Sequence, residues 1–543
     1  MTAACDPPAR SSAWKVEQRE ERRRLDAPGT QAATTTTGDG AANARAHTLR
    51  IQLEAEPRGL DPLSDPDLGA WWIVMGPVIE PVLRYAPGAP GQPGVLGPGV
   101  ASVRATPGAA LVRLTIRDGA RFQDGQPVTS VDLQYSIDVA RGRARVPARV
   151  KRGLATVTSV SLSGPREVVL VQGGVRSNPA VLRMLADVPV VPAHAYAPGA
   201  FREHPIGSGP FKVVRWDRGQ KIVLDRDPAY WGGAPPEAGR VDHVEWIVEP
   251  DGARALMNAA RGDLDVIPAL SAAHHPEALT APGIAPDFQP LDLAPAAFEA
   301  IVLDASKPPF DDARVRAALG IAIDRQKLVD TLSGGLARAI AAPVWPGGPI
   351  EGPAPTVPAP DLTRAGALLA AAGWIDGDGD GVRERMGARL RTPLLAIADL
   401  PDDAERDLVV AALRALGFVV DVLPGEPGFL ESRLKSGGFG AAFLSVRGGP
   451  GDDLAPILGK GPPGGPRATS AALDAALDAS LPPAAPEARL EAAARVTELV
   501  MTEWPIVCLT APRPVGLVHR RVRGLVPWGG WFALDGITLE DPR

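Results

Sequence analysis

Residues 205–231 read PIGSGPFKVVRWDRGQKIVLDRDPAYW. Gly207 and Gly209 bracket a turn, and Pro210 has no N–H to give to a strand ladder. Phe211, Val213 and Val214 then begin a strand, and Arg218-Gly219-Gln220 turns it back. Ile222, Val223 and Leu224 return until Asp227-Pro228 stops the pairing. The pattern predicts a β-hairpin closed by the aromatic pair Tyr230-Trp231.

Around that hairpin lie 543 residues, too many for one core, so two or three domains are expected. The 45% hydrophobic content is ordinary for a globular chain, and the net charge of −6 offers nucleic acid no electrostatic footing. With 59 glycines and 58 prolines, about a fifth of the chain, many loops are expected. No run approaches the roughly 18 consecutive apolar residues of a membrane span. The two cysteines, Cys5 and Cys508, are too few for a disulfide framework or a cysteine metal site. Cys508 lies in the apolar run Ile506-Val507-Cys508-Leu509 and reads as a buried free thiol.

Residues 1–46 are charged, then low in complexity, and read as a disordered tether. Within them Thr2-Ala3-Ala4-Cys5-Asp6 places small residues before a cysteine, like the end of a lipoprotein signal, with lipidation expected at Cys5. Thr2 stands where such signals carry Leu, and a chance cysteine is the other reading. From Thr48, Leu49, Ile51 and Leu53 alternate with Arg50, Gln52 and Glu54, as in a half-buried strand. A helix is expected over about Leu68 to Tyr85. Leu111 to Arg117 reads as a strand, and Thr129 or Ser130 caps a helix with Val131, Tyr135 and Val139 on one face. Val241 to Val248 reads as a strand, followed by a helix carrying Ala255, Leu256 and Ala259-Ala260. Ile301 to Asp304 is another strand, followed by a helix carrying Val315, Leu319, Ala322 and Ile323.

The hairpin run resembles the signature of extracytoplasmic solute-binding proteins of ABC importers, in the peptide/nickel family of dipeptide- and oligopeptide-binding proteins. Further stretches resemble the same family in the same order: Pro57-Arg58-Gly59-Leu60-Asp61-Pro62, Ile79-Glu80-Pro81-Val82-Leu83-Arg84-Tyr85, Asp118 to Gly125, Asp263-Leu264-Asp265-Val266-Ile267, and PFDDARVRAALGIAIDR from Pro309 to Arg325. The resemblance implies an α/β, periplasmic-binding-protein-like two-lobe fold with mixed sheets, of the cluster C type with an extra inserted domain. It also implies boundaries: a discontinuous domain I of residues 47–77, 205–285 and 505–543, an inserted domain II of 78–204, and a domain III of 286–504.

The resemblance implies a receptor that captures a solute between two lobes, with a peptide as the default ligand and nickel chelates, opines or oligosaccharides as alternatives. ABC permease subunits are the implied partners, and a monomer, without cofactor and without catalysis, is expected outside the inner membrane. A sensor or scaffold on the same fold is the alternative. Expected ligand contacts are Trp71, Trp72 and Met75, Trp345, Ser445, Val446, Arg447 and Gly448, and Trp528 and Trp531. Peptide-binding relatives carry a Trp and an ammonium-pairing Asp near Phe439 to Leu454. Here Val446 stands for the Trp and Gly448 or Gly449 for the Asp, with Asp452 and Asp453 displaced.

Other constellations are weaker. Asp376-Gly377-Asp378-Gly379-Asp380-Gly381 fits the first half of a calcium loop, with Asp376, Asp378, Asp380 and Glu384 as candidate ligands. The twelfth position is Gly387, and Arg383 and Arg385 sit alongside, so a polar loop is the better reading. His274-His275 has no third ligand nearby. Gly207-Ser208-Gly209 lacks the G-x-S-x-G of a nucleophile elbow.

Overall fold

The computed structural model describes residues 45–64, 68–89, 91–105, 110–142, 146, 148–173, 179–233, 235–293, 295–332, 335–397, 404–436, 439–458, 470–482 and 484–540. Residues 1–44 of the expected tether, Cys5 among them, lie outside these.

Two large mixed sheets organise the molecule. The first has seven strands, in the order Phe288–Asp292, Val515–His519, Val266–Ile267, Thr48–Leu53, His243–Val248, Lys221–Arg226 and Phe211–Asp217. Thr48–Leu53 runs parallel to both its neighbours, and the outer pairs are antiparallel. The second has six strands, in the order Ala337–Ala339, Ile506–Pro512, Ala297–Leu303, Ala441–Arg447, Arg391–Ile397 and Val419–Gly425. A smaller antiparallel sheet of Ala101–Ala105, Leu111–Ile116, Glu167–Gln172 and Val157–Leu162 shares one apolar core with the seven-stranded sheet, joining Leu49, Leu114 and Trp246. The six-stranded sheet has its own cores, around Leu319 and Leu394 on one side and Phe298 and Trp345 on the other. This is a two-lobe α/β architecture with mixed sheets. Among the described residues, no helix is long and apolar enough to cross a membrane.

The described chain passes between the two large sheets twice. Phe288–Asp292 in the first leads to Ala297–Leu303 in the second, and Ile506–Pro512 in the second leads back to Val515–His519 in the first. The two passages lie side by side, with the Leu293 N–H donating to the Pro514 carbonyl at 3.3 Å and Arg513 Nε 2.7 Å from an Asp292 carboxylate oxygen.

The expected hairpin forms as Phe211–Asp217 and Lys221–Arg226, turning at Gly219 with φ +71°. Its register shifts between Val213 and Arg215, which leaves Val214 outside the ladder and exposed. The two glycines before it are set by close approach. A Cβ on Gly207 would lie 1.8 Å from the Val78 carbonyl oxygen, and one on Gly209 would lie 2.4 Å from that of Pro77. No side chain fits there.

Three local expectations are corrected. The helix expected to reach Tyr85 ends at Val74, because Gly76 adopts φ +93° and Pro77 and Pro81 follow; Leu83–Ala86 is a strand. The helix Ser130–Gly142 buries Leu133, Ser136, Ile137 and Ala140, while Val131 is exposed. Buried polar groups set that face: Asp132 accepts from the N–H groups of Thr129 and Ala193, and Ser136 accepts from that of Val191. The opening strand, with neighbours on both sides, buries Gln52 as well as Leu49 and Ile51, and Gln52 donates to the Glu249 carbonyl at 2.8 Å.

Candidate functional site at the lobe junction

The family-like motifs other than Pro309 to Arg325 lie in the first lobe. Buried Glu80 accepts hydrogen bonds from Ser208 Oγ at 2.9 Å, Tyr230 OH at 2.8 Å and Trp231 Nε1 at 3.0 Å. The turn, the aromatic pair and the Glu80 segment are therefore one unit, capped by the Arg117 guanidinium 4.7 Å from the Trp231 ring centroid. Burial pushes the Glu80 carboxyl above its ordinary value, and its three donors and Arg117 oppose that shift. Asp61, fully buried, accepts from the Leu63 N–H and Tyr196 OH, both at 2.9 Å. Asp265 takes both arms of Arg521, at 2.8 and 2.7 Å, which ties the C-terminal segment to the opening strand. These carboxylates all have structural partners.

Between the lobes lies a different kind of cluster. Tyr85, on the first-lobe strand Leu83–Ala86, donates to Glu351 and accepts from Arg489, both of the second lobe. Glu351 also accepts from the Gly94 N–H at 3.0 Å, and its carboxylate lies 3.1 Å from Arg489. Arg489 Nη1 donates to the Gly94 carbonyl at 2.6 Å, and both charged side chains are almost fully buried. Burial first, and the Glu351 carboxylate next, raise the Tyr85 hydroxyl above its ordinary range, so it stays a protonated donor.

A second bridge stands beside it. The Arg183 guanidinium lies over the other region of the Tyr85 ring, 4.7 Å from its centroid. It donates from Nε to the Pro450 carbonyl at 2.8 Å, pairs with Asp187 at 2.9 Å, and lies 3.6 Å from Asp452. Asp452 also accepts from the Gly449 N–H at 2.7 Å, and Asp453 caps the short helix Ala455–Leu458 through the Ala455 N–H at 2.8 Å. The displaced acids of this segment are thus engaged by the protein itself.

The expected ligand contacts distribute as follows. Trp71, Trp72 and Met75 are half-buried, on or just after the helix Leu68–Val74, with Trp72 and Met75 against the first-lobe core. Along Ala441–Arg447, Ser445 and Arg447 are exposed, and Val446 points into the second-lobe core opposite Phe298. Gly448 follows, its N–H donating to the Ala296 carbonyl at 3.1 Å, on the passage between the lobes. Trp528 and Trp531 pair in a two-stranded turn whose Gly529 backs onto Pro450 and Gly530 onto Pro295. The structure thereby brings the segment 448–452, the passage at 295–296 and the 528–531 turn together. Trp345 is fully buried, edge-on to Phe298 at 6.0 Å between centroids.

Sequence reasoning missed Arg183, Glu351 and Arg489. A lone Glu in Pro349-Ile350-Glu351-Gly352-Pro353 and a lone Arg among alanines give no sign of one another, and Tyr85 and Glu351 are 266 residues apart. Of the calcium-loop residues, Asp376, Asp378 and Glu384 bring oxygens within 4.8 Å of one another, with both aspartates exposed. Asp376 already accepts from the N–H groups of Gly379 and Gly381, and Asp380 pairs with Arg389. His274 bonds Ser271 Oγ at 2.8 Å. Cys508 is buried and free, its thiol pushed up to about 12 by burial, which makes it unreactive.

The comparisons with known proteins decide the family. The family model for bacterial extracellular solute-binding proteins, family 5 middle region, matches residues 98–460. The chain belongs to this family. Protein XP55 of Streptomyces lividans is 28% identical over 294 residues, covering 51% of this chain and 49% of that protein. The probable D,D-dipeptide-binding periplasmic protein DdpA of Escherichia coli (strain K12) is 26% identical, covering 54% of this chain and 57% of that one. The chain spans about half the length of these curated relatives. Among solved structures, HbpA2 from Haemophilus parasuis superposes with a TM-score of 0.73 at 18% identity, covering 91% of this chain and 100% of that one. That likeness fixes the fold as the two-lobe, periplasmic-binding-protein type.

Proposed function

We propose that this protein is the extracytoplasmic receptor of an ABC importer, which captures a small solute between its two lobes and presents it to the permease without transforming it. The observation that carries the reading is the double passage at Leu293, Pro295 and Ala296 and at 513–514, two adjacent connections that can flex together as a hinge. Side chains of both lobes meet across the seam in bonds that an open form would break, so closure has a defined contact set. We assign residues 47–77, 205–292 and 515–540 to a first domain, 78–204 to an inserted domain and 297–512 to the second lobe, which moves the expected boundaries at 285/286 and 504/505 to the two passages, because Phe288–Asp292 pairs in the first sheet and Ile506–Pro512 in the second. The 528–531 turn and the 445–448 segment are the ligand-facing elements in this reading. Trp71, Trp72 and Met75 complete the proposed wall. The protein works as a monomer outside the inner membrane, held there by acyl chains if Cys5 is lipidated.

A peptide remains the default solute, in keeping with the dipeptide in the name of the Escherichia coli relative. The engagement of Asp452 by Arg183 and of Asp453 by a helix cap favours a ligand that brings no ammonium to this segment. The same observation supports a second reading, a sensor or scaffold that no longer serves transport. Mass spectrometry of solutes that co-purify, followed by small-angle scattering with the identified solute, tests the proposal. A smaller radius on binding is expected; an unchanged radius with bound solute rejects hinge closure. Adjacent permease and ATPase genes favour transport over sensing.

A further inference from the structure

Next to the passage between the lobes, two side chains present hydrogen-bond donors with no acceptor. Arg338 lies on the edge strand Ala337–Ala339, paired with Ala511 just before the return passage. Its Nε and Nη2 are buried and meet no partner among the described residues, and neither does the buried indole Nε1 of Trp345. The two side chains touch: the Arg338 guanidinium stands 5.0 Å from the Trp345 ring centroid. A ring face steadies a cation but accepts no N–H in its plane. The acid whose charge acts on it, Asp292, is already paired with Arg513, a second cation that acts on Arg338. With two guanidinium groups and one carboxylate, the corner carries positive charge in excess.

Buried donors left unmade are costly, and a guanidinium more so than a neutral group. A planar fork of N–H groups fits the two oxygens of a carboxylate. We propose that Arg338 and Trp345 form a subsite for a carboxylate of the captured solute, at the hinge end of the seam. The inference rests on the receptor reading for its solute, and the anion site itself stands on the orphaned donors. It assigns the opposite charge preference to the one that a free acid at 448–453 would have created.

The test uses the full chain in thermal unfolding with potassium acetate, potassium sulfate or potassium chloride at matched ionic strength. Acetate is expected to raise Tm saturably above chloride, with Arg338→Met abolishing the shift and Arg338→Lys weakening apparent affinity at least tenfold. Trp345→Phe keeps the ring and removes the N–H, and is expected to weaken acetate several-fold. In buffer without added anion, Arg338→Met should unfold no earlier than wild type, since it removes unpaired donors. Earlier unfolding would make the guanidinium a structural group and overturn the subsite. So would an equal acetate shift in Arg338→Met, or a response to sulfate alone. Co-purified solutes separate the two readings. The same solute on wild type and Arg338→Met rejects the subsite and keeps the receptor. Arg338-dependent acetate binding without any captured solute keeps the subsite and rejects the receptor.

Discussion

Glu80 and Glu351 are both buried carboxylates, and they do opposite jobs. Glu80 is held by three uncharged donors from one lobe, and the groups it joins lie within a recognisable sequence signature. Glu351 is held by Tyr85 and a backbone N–H from the other lobe, with Arg489 as counter-charge. The first carboxylate builds a lobe; the second joins two lobes. Under the proposed receptor reading, opening would break the second set and keep the first.

The largest effect should come from the seam. Glu351→Ala or Arg489→Ala leaves a buried charge unpaired and should cost about 3–5 kcal/mol in urea unfolding. Replacing both, as Glu351→Leu with Arg489→Met, should recover much of that loss. Single-variant losses below about 1 kcal/mol would show that the two charges are not confined together as the distances indicate.

Within the first lobe, Gly207→Ala drives a methyl into the Val78 carbonyl and should cost about 1–3 kcal/mol in thermal unfolding. A neutral result would mean that the signature turn shifts freely. Glu80→Gln should cost about 1–3 kcal/mol, because its amide N–H groups face donors. Burial holds the Glu80 carboxyl above 4.5, so the folded state keeps this proton where the unfolded chain has lost it. Its contribution to stability is therefore full below 4.5 and declines as pH rises through the raised value. Tm measured from pH 4 to 8 should fall less steeply across that window in Glu80→Gln than in wild type, and parallel profiles would reject the assignment. The smallest effect is expected at Met386, fully exposed on a hairpin tip, where Met386→Ser should change stability by less than about 0.5 kcal/mol and leave the seam variants unaltered.

Much of the first lobe was legible in the sequence. The hairpin, its turn at Gly219 and the helix Gly252–Ala260 are local features, set by residues within a few positions of one another. The wrongly expected face of the Ser130–Gly142 helix shows the limit. Apolar spacing pointed to Val131, but Asp132 and Ser136 found buried partners on the segment 191–193 and turned the helix. Of the candidate site, the 445–448 and 528–531 segments were named from sequence, whereas their approach to each other through Pro450 and Pro295 was not readable.

The amino-acid order alone determined the glycine-dependent turn, a matter of backbone geometry, and indicated the family and two-lobe class through the resemblance of several correctly ordered motifs to a known family. Only the tertiary structure decided that Asp452 is committed to Arg183, that Glu351 meets Arg489 and Tyr85, and that Arg338 Nε and Nη2 meet no acceptor among the described residues. Whether a charge is paired depends on what distant segments bring within about 4 Å of it, and spacing along the chain carries no record of that distance.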